Sequence, residues 1–183
     1  MRLLIFLGNP GAKFEKTRHN AGFLCGEFLR ENFDAENWHF EKKFAAELSA
    51  FEFENRKILL ARPQNFMNLS GEATLKIKSF FQIAIENLTI FFDDKDLPFG
   101  EIRWREKGSD GGHRGARDIF AKLKTDEIAR CKIGIESRDE ILKTKMPTEN
   151  FVLQKFETAE IAKLNDEIFP RIFDETVRRL REV

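Results

Sequence analysis

Short apolar runs along this chain alternate with longer stretches in which apolar residues recur every three or four positions. The runs at 3–7 and 88–92 are almost wholly apolar, which is typical of strands that are buried on both faces. Residues 44–50 alternate between apolar and polar types, and a second strand at 57–62 follows a short turn. These two segments predict a hairpin. Residues 131–135 predict a last strand.

The spacing of apolar residues also predicts four helices. One runs from 21 to about 32, directly after the first apolar run and its loop. A second begins behind Ser70, which is a suitable N-cap residue. The third covers 116–124, and the fourth covers 158–181, where Pro170 is expected to kink or split it.

The remaining long segments, 32–43 and 136–150, are polar or charged and predict loops. No internal repeat, linker or low-complexity tract divides the chain. Because predicted strands and helices alternate, the fold class is α/β, and we expect residues 1–183 to form a single domain.

Composition limits the classes of protein that are possible. Charged residues make up 34% and apolar residues 42% of the 183 positions, which excludes an intrinsically disordered chain. The net charge is zero, so any RNA contact has to come from a local patch. Five apolar residues at the start are too few for a signal peptide, and no stretch is long enough for a membrane span. Together with Cys25 and Cys131, expected to be buried reduced thiols, this predicts a cytoplasmic protein.

The loop behind the first apolar run has the strongest chemical signal. Its glycines and proline at 8–11 end the strand, and residues 18–20 bring an arginine, an imidazole and an amide to the start of the next helix. Ligands in open α/β sheets bind beyond the carboxyl ends of the strands. We therefore expect the active site at this loop.

Four polar side chains at strand ends or loop starts could carry the chemistry. His19 is a candidate general base near neutral pH, and Asp93, at the end of the run 88–92, is a candidate partner that fixes the tautomer of the imidazole. Asn9 and Asn68 can donate hydrogen bonds to a carbonyl oxygen or an oxyanion without ionising.

Taken singly, each of these residues also has a structural interpretation. A lone histidine in a loop is more often structural, an asparagine next to Pro-Gly usually serves the turn, and Met67 is more often a core residue. His19, His39 and His113 lack the spacing of metal ligands, so we expect neither a metal nor another cofactor. The glycines at 111–115 fall short of a phosphate-binding motif.

Four sequence blocks, taken together, resemble the signature blocks of the bacterial peptidyl-tRNA hydrolase family, in the same order and at similar separations. They are listed here as they stand in this chain: GNPG at 8–11 with TRHN at 17–20, FMNLSG at 66–71, Asp93 with DLPFG at 96–100, and GGH at 111–113. The resemblance implies a monomeric, metal-free esterase on a twisted mixed β-sheet flanked by helices on both faces. Its substrate would be peptidyl-tRNA, whose ester between peptide and ribose it would cleave to recycle the tRNA.

The resemblance also implies roles for particular residues. His19 would be the catalytic base and Asp93 the residue that orients it. The side chains that would line the substrate cleft are Asn9, Phe14, Phe66, Met67, Asn68 and Arg114.

Two of these positions depart from the family pattern. Phe14 replaces a tyrosine, keeping the ring without its hydroxyl. Arg114 replaces an asparagine that binds substrate and positions water in the family, and an arginine cannot accept a hydrogen bond. It would either contact a phosphate of the tRNA end or point to solvent.

A second functional class stays open beside the enzyme. The same scaffold could serve as an RNA-associated binding protein that has lost catalysis, and Arg114 slightly favours that alternative. The presence of His19, Asp93, Asn9 and Asn68 favours the enzyme. An unrelated esterase is disfavoured, because the chain has no nucleophile motif such as GxSxG.

Overall fold

A single seven-stranded mixed sheet organises residues 1–182, the part of the chain described by the computed structural model. The strands are Arg2–Phe6 (β1), His39–Glu41 (β2), Ala46–Phe53 (β3), Arg56–Pro63 (β4), Leu88–Pro98 (β5), Ile102–Arg105 (β6) and Ala129–Glu136 (β7). Their order across the sheet is β2-β3-β4-β1-β5-β7-β6. The four central strands are parallel, whereas β2, β3 and β6 pair antiparallel with their neighbours.

Helices cover both faces of this sheet. They are Ala21–Asn32 (α1), Ser70–Phe80 (α2), Arg114–Leu123 (α3), Glu140–Lys145 (α4), Thr148–Val152 (α5), Thr158–Lys163 (α6) and Phe169–Arg181 (α7). One core lies between the sheet and α2 with α3, and a second lies between the sheet and α1, α5 and α7. The prediction of an α/β fold with a mixed sheet flanked on both faces is therefore confirmed. The predicted domain ends at Val183, which lies outside the described residues.

Several elements agree with the apolar spacing, and others differ for identifiable reasons. The hairpin β3–β4 and helix α1 lie where the pattern predicts them. The segment 32–43, predicted to be a loop, contains the short strand β2, whose side chains are largely exposed because it pairs only with β3 at the sheet edge. The segment 136–150 contains α4, capped by the Asp139 side chain, and the start of α5.

Two element boundaries also differ from the prediction. Strand β5 does not stop after residue 92 but continues through Asp93 and Asp94, because their carboxylates find partners beside the sheet. Ser70 is the first residue of α2 rather than its N-cap, and its hydroxyl donates to the carbonyl of Met67. Pro170 lies in the first turn of α7, directly after a π-helical turn, so the segment changes its hydrogen-bond pattern there but stays helical from residue 158 to residue 181.

The cysteines and the helix lengths bear on the remaining predictions about the chain as a whole. Cys25 and Cys131 are both buried free thiols, as expected. Within residues 1–182, no helix combines the length and the apolar character that crossing a membrane requires.

Candidate active site

The turn before α1 lies over neighbouring central strands of the sheet, β1 and β5. The turn Arg18–Asn20 leads directly into α1, whose second residue is Gly22. A β-carbon at Gly22 would collide with the carbonyl oxygens of Leu7 and Phe91, so only glycine allows α1 to approach this closely. The imidazole of the turn is thereby placed against β5.

His19 and Asp93 form a hydrogen-bonded pair at this point. Nδ1 of His19 lies 2.9 Å from Oδ1 and 3.0 Å from Oδ2 of Asp93. Burial alone would lower the pKa of His19, but the charge of Asp93 and its hydrogen bonds raise the pKa above its usual value, and the charge of Arg114 opposes that rise. With Nδ1 engaged, Nε2 has no hydrogen-bond partner within residues 1–182 and is the nitrogen that can accept a proton.

His113 is a third member of this group, and sequence spacing did not single it out. Its Nε2 lies 2.9 Å from Oδ1 of Asp93, while its Nδ1 accepts the backbone N–H of Ala116 at 3.2 Å and so caps α3. The cap requires an unprotonated Nδ1, so Nε2 carries the proton and donates it to Asp93. Burial outweighs the neighbouring carboxylates and lowers the pKa of His113, so the ring stays neutral.

The Asp93 carboxylate is only 2% exposed and lies between the two imidazoles. Burial by itself would raise its pKa, but the charge of His19 and the hydrogen bonds from both imidazoles outweigh burial and hold the pKa far below its usual range. The carboxylate therefore stays ionised near neutral pH, with both of its oxygens accepting hydrogen bonds from ring nitrogens.

The amide of Asn9 is held in one orientation by its neighbours. Its Oδ1 accepts the backbone N–H of Met67 at 2.9 Å. The backbone of Asn9 is held in turn by Asn20, which accepts from its N–H at 2.8 Å and donates to its carbonyl at 3.0 Å. The NH2 group of Asn9 is left as a donor without a partner among residues 1–182. The sequence placed Asn20 in the motif but did not reveal this anchoring role.

All eight site residues predicted from the sequence line one cleft of about 520 Å³: Asn9, Phe14, His19, Phe66, Met67, Asn68, Asp93 and Arg114. The rings of Phe14 and Phe66 meet edge to face at the cleft, with centroids 6.4 Å apart. Phe66 is 55% exposed, whereas Met67 is buried against Gly115 of α3. Aromatic rings and a thioether thus surround the polar group at His19.

The far wall of the cleft begins in the segment 136–150, which the sequence predicted to be an irregular loop, and continues to residue 153. Thr148, Glu149, Val152 and Leu153 line the cleft from α5 and the residue after it. Leu153 is 47% exposed, so the wall offers apolar area to a ligand. The short apolar run 151–153 is a sequence signal that could have indicated this wall.

The side chains of His19, Asp93 and His113 together also have the composition of a metal site. Ligand-type atoms of His19, Asp93 and His113 all lie within 4.8 Å of one another, a proximity that the sequence spacing of the histidines did not indicate. However, Nδ1 of His113 caps a helix, and the nitrogens that face Asp93 are at hydrogen-bond distance from it. The arrangement fits a proton-linked group, with each ring's N–H directed to the carboxylate.

Comparisons with known proteins agree with this architecture. The family model described as peptidyl-tRNA hydrolase matches residues 3–182. The chain is 39% identical to the peptidyl-tRNA hydrolase of Brevibacillus brevis over 92% of this chain and 86% of that protein. It is 38% identical to the enzyme of Metamycoplasma arthritidis over 97% and 90%.

A solved structure has the same fold. The crystal structure of peptidyl-tRNA hydrolase from Acinetobacter baumannii superposes with a TM-score of 0.82 at 29% identity, and the match covers 98% of this chain and 91% of that one. The sequence similarity spans nearly the whole chain, and the shared fold includes the sheet and both helical layers. The chain therefore belongs to the peptidyl-tRNA hydrolase family.

Proposed function

We propose that this protein hydrolyses the ester bond between the peptide and the tRNA in peptidyl-tRNA, without a metal ion. The observation that carries the proposal is the His19–Asp93 pair, whose unengaged Nε2 belongs to a ring that lines a cleft of about 520 Å³. A base of this kind can activate water at neutral pH, because it is oriented by an ionised carboxylate. Family membership supplies the substrate class.

In the proposed reaction, Nε2 of His19 takes a proton from a water molecule as the water oxygen attacks the ester carbonyl. The NH2 groups of Asn9 and Asn68 can donate hydrogen bonds to the oxyanion that develops on the carbonyl oxygen. Collapse of the intermediate breaks the bond to the ribose oxygen, which receives the proton from the imidazolium. Asp93 holds the tautomer and stabilises the imidazolium, and His113 in turn fixes Asp93.

The apolar parts of the cleft suit the two ends of such a substrate. Phe14, Phe66 and Met67 offer ring faces and a thioether to an adenine or to peptide side chains, and Leu153 adds apolar area opposite. We place the activity in a single domain of residues 1–183 that works as a monomer in the cytoplasm, as the family resemblance implies.

One assay tests this proposal against the alternative of a non-catalytic RNA-binding protein. The protein is incubated with an N-blocked aminoacyl-tRNA, and release of the blocked amino acid is measured beside binding of the tRNA. Release with multiple turnover supports the esterase. Binding without any release would favour the non-catalytic alternative and would overturn the proposed reaction.

Treatment with a chelator tests whether the cluster of His19, Asp93 and His113 needs a metal ion for activity. Because the nitrogens facing Asp93 are protonated donors, a chelator should leave the rate of ester cleavage unchanged. The measurement is the initial rate after exhaustive dialysis against EDTA, with the fold of the tRNA checked separately at the same ion concentrations. A loss of activity that Zn²⁺ or Mg²⁺ restores to the protein would contradict the metal-free mechanism.

Arg114 is proposed to contact a phosphate of the tRNA end. It lies at the start of α3, lines the cleft, is exposed, and forms no ion pair or hydrogen bond with another residue of 1–182. Several other charged residues of the cleft are paired, such as Asp94 with Lys132 at 3.1 Å and Asp110 with Arg117 at 3.2 Å. A free guanidinium beside the ester favours an anionic group of the substrate.

Arg114→Asn should therefore weaken binding at low salt and reduce the salt dependence of KM, because one phosphate contact on a single strand contributes about 0.7 to the slope of log affinity against log salt. The acidic limb of the pH profile should also move to higher pH, since the charge of Arg114 lowers the pKa of His19. KM and kcat are measured over a salt series. Lys122→Asn, an equal charge loss near the other end of α3, is the control. An unchanged salt slope would show that Arg114 points to solvent.

A further inference from the structure

Arg18, the residue before His19, is buried in a set of contacts that the proposed reaction does not use. It is only 5% exposed. Nη1 and Nη2 donate to the two carboxylate oxygens of Glu160 in α6 at 3.0 and 2.8 Å. The guanidinium also lies over the ring of Phe151 at 4.7 Å and the ring of Phe156 at 5.0 Å.

The backbone around Arg18 is tied to the same part of the molecule. Its N–H donates to the carbonyl of Gln154 at 2.8 Å, and the N–H of Phe156 donates to the carbonyl of Lys16 at 2.8 Å. Thr17 and Lys155 form an antiparallel bridge between these bonds. Residues 16–18, which lead into the turn that carries His19, are thus paired with the chain that leaves the far wall of the cleft.

The far wall is also held by a second arginine. Arg138 lies 4.1 Å from the ring centroid of Phe151, pairs with Glu136, and donates to the carbonyl of Met146 at 2.9 Å. Phe151 belongs to α5, whose neighbouring residues Val152 and Leu153 line the cleft. The guanidinium of Arg18 and that of Arg138 therefore both contact the ring that anchors this wall.

We propose that Arg18 is a positioning residue that fixes the distance between His19 and the far wall of the cleft. The inference rests on the proposed function for its effect on catalysis. This position requires a planar cation with two hydrogen-bond donors, because one side chain must donate to both oxygens of a carboxylate and contact two aromatic rings at the same time. Lysine has the charge but lacks the planar group and its paired N–H donors.

Removing both charges of the Arg18–Glu160 pair separates this positioning role from simple stability. Arg18→Met leaves Glu160 without its partner, and breaking a buried pair from one side is strongly destabilising. Arg18→Met with Glu160→Gln removes both charges, keeps a side chain that can serve the capping box of α6, and packs a thioether on the two rings. The double variant should regain most of the lost thermal stability.

Activity should not return with stability in that double variant. We expect kcat to stay lower by about tenfold or more, because small displacements of a reacting group are costly, whereas KM changes less. A second readout does not depend on the substrate. If His19 moves away from Asp93, its pKa falls, and this is measured by NMR titration of the imidazole in the free protein.

Arg18→Lys guards against a double variant that fails to fold, since it keeps the charge beside Glu160. It should fold, with a lower kcat and a lower pKa of His19 than the wild type. Arg30→Met is the matched control, because Arg30 is also a partly buried arginine paired with a glutamate, but it lies on α1 away from the cleft. It should leave kcat and the pKa of His19 unchanged.

Two results would overturn the inference. One is a double variant whose kcat recovers together with its stability, and the other is an unchanged pKa of His19 and unchanged kcat in Arg18→Lys. Failure of the proposed function is distinguishable from both, because a wild-type protein without esterase activity would still report the pKa of His19.

Discussion

His19→Ala should abolish ester cleavage while the protein folds normally and still binds tRNA. A positioned general base typically contributes about 10²–10⁴-fold to the rate, and no other imidazole of the cleft can replace it. His113 is close, but both of its ring nitrogens are engaged: Nδ1 accepts the backbone N–H of Ala116, and Nε2 donates to Asp93. Fold and binding should persist because the lost side chain is a turn residue outside both hydrophobic cores.

The measurement is kcat and KM for an N-blocked aminoacyl-tRNA, together with the thermal midpoint and tRNA affinity. His39→Ala provides the matched control, since His39 is an exposed residue of β2 and should leave all four quantities unchanged. If His19→Ala retains more than about a tenth of the wild-type rate, a contribution that small is below what a general base supplies, and the assignment is wrong.

The central strands of the fold were predictable, because a strand that is buried on both faces consists of consecutive apolar residues. The run 3–7 gave β1, and 88–92 gave the first half of β5. The second half of β5 was not predictable, since Asp93 and Asp94 look like the end of a strand. Their charges are tolerated there only because His19, His113 and Lys132 meet them across the fold.

The site was predictable as a set of residues, but not as a geometry. Glycine-rich loops after strands indicated the edge of the sheet, and the family resemblance supplied the positions that line the cleft. The link between His113 and Asp93 was hidden, because the two residues are 20 positions apart and neither spacing nor charge marks them as a pair. Arg18 was hidden for a different reason: arginine is rarely buried, so a sequence alone suggests solvent.

The short helices of the far wall show what local patterns omit. Helix α5 has only five residues, too few for a periodic signal, and its one buried residue is Phe151. Its position depends on contacts with Arg18 and Arg138, which are distant in sequence. Because contacts between residues distant in sequence fix the position of this wall, the local sequence pattern of α5 does not indicate it.

Asp93→Asn should lower kcat by about 10²-fold, because an amide favours the wrong tautomer of the base. Oδ1 of Asp93 accepts from both histidines, and Oδ2 lies 3.0 Å from Nδ1 of His19. The proton of His113 requires an acceptor, so the amide oxygen of the variant takes the Oδ1 position. The amide NH2 then faces Nδ1 of His19, which becomes an acceptor, and the proton moves to Nε2.

The pH profile distinguishes this explanation from a general loss of structure. The base must be unprotonated, so the rate rises with pH through the pKa of His19, which Asp93 raises. Removing the carboxylate lowers that pKa, so the acidic limb should move to lower pH, opposite to the shift expected for Arg114→Asn. Asp94→Asn is the control: its carboxylate pairs with Lys132, and the limb should stay in place. An unmoved limb in Asp93→Asn would mean that Asp93 does not set the protonation of His19.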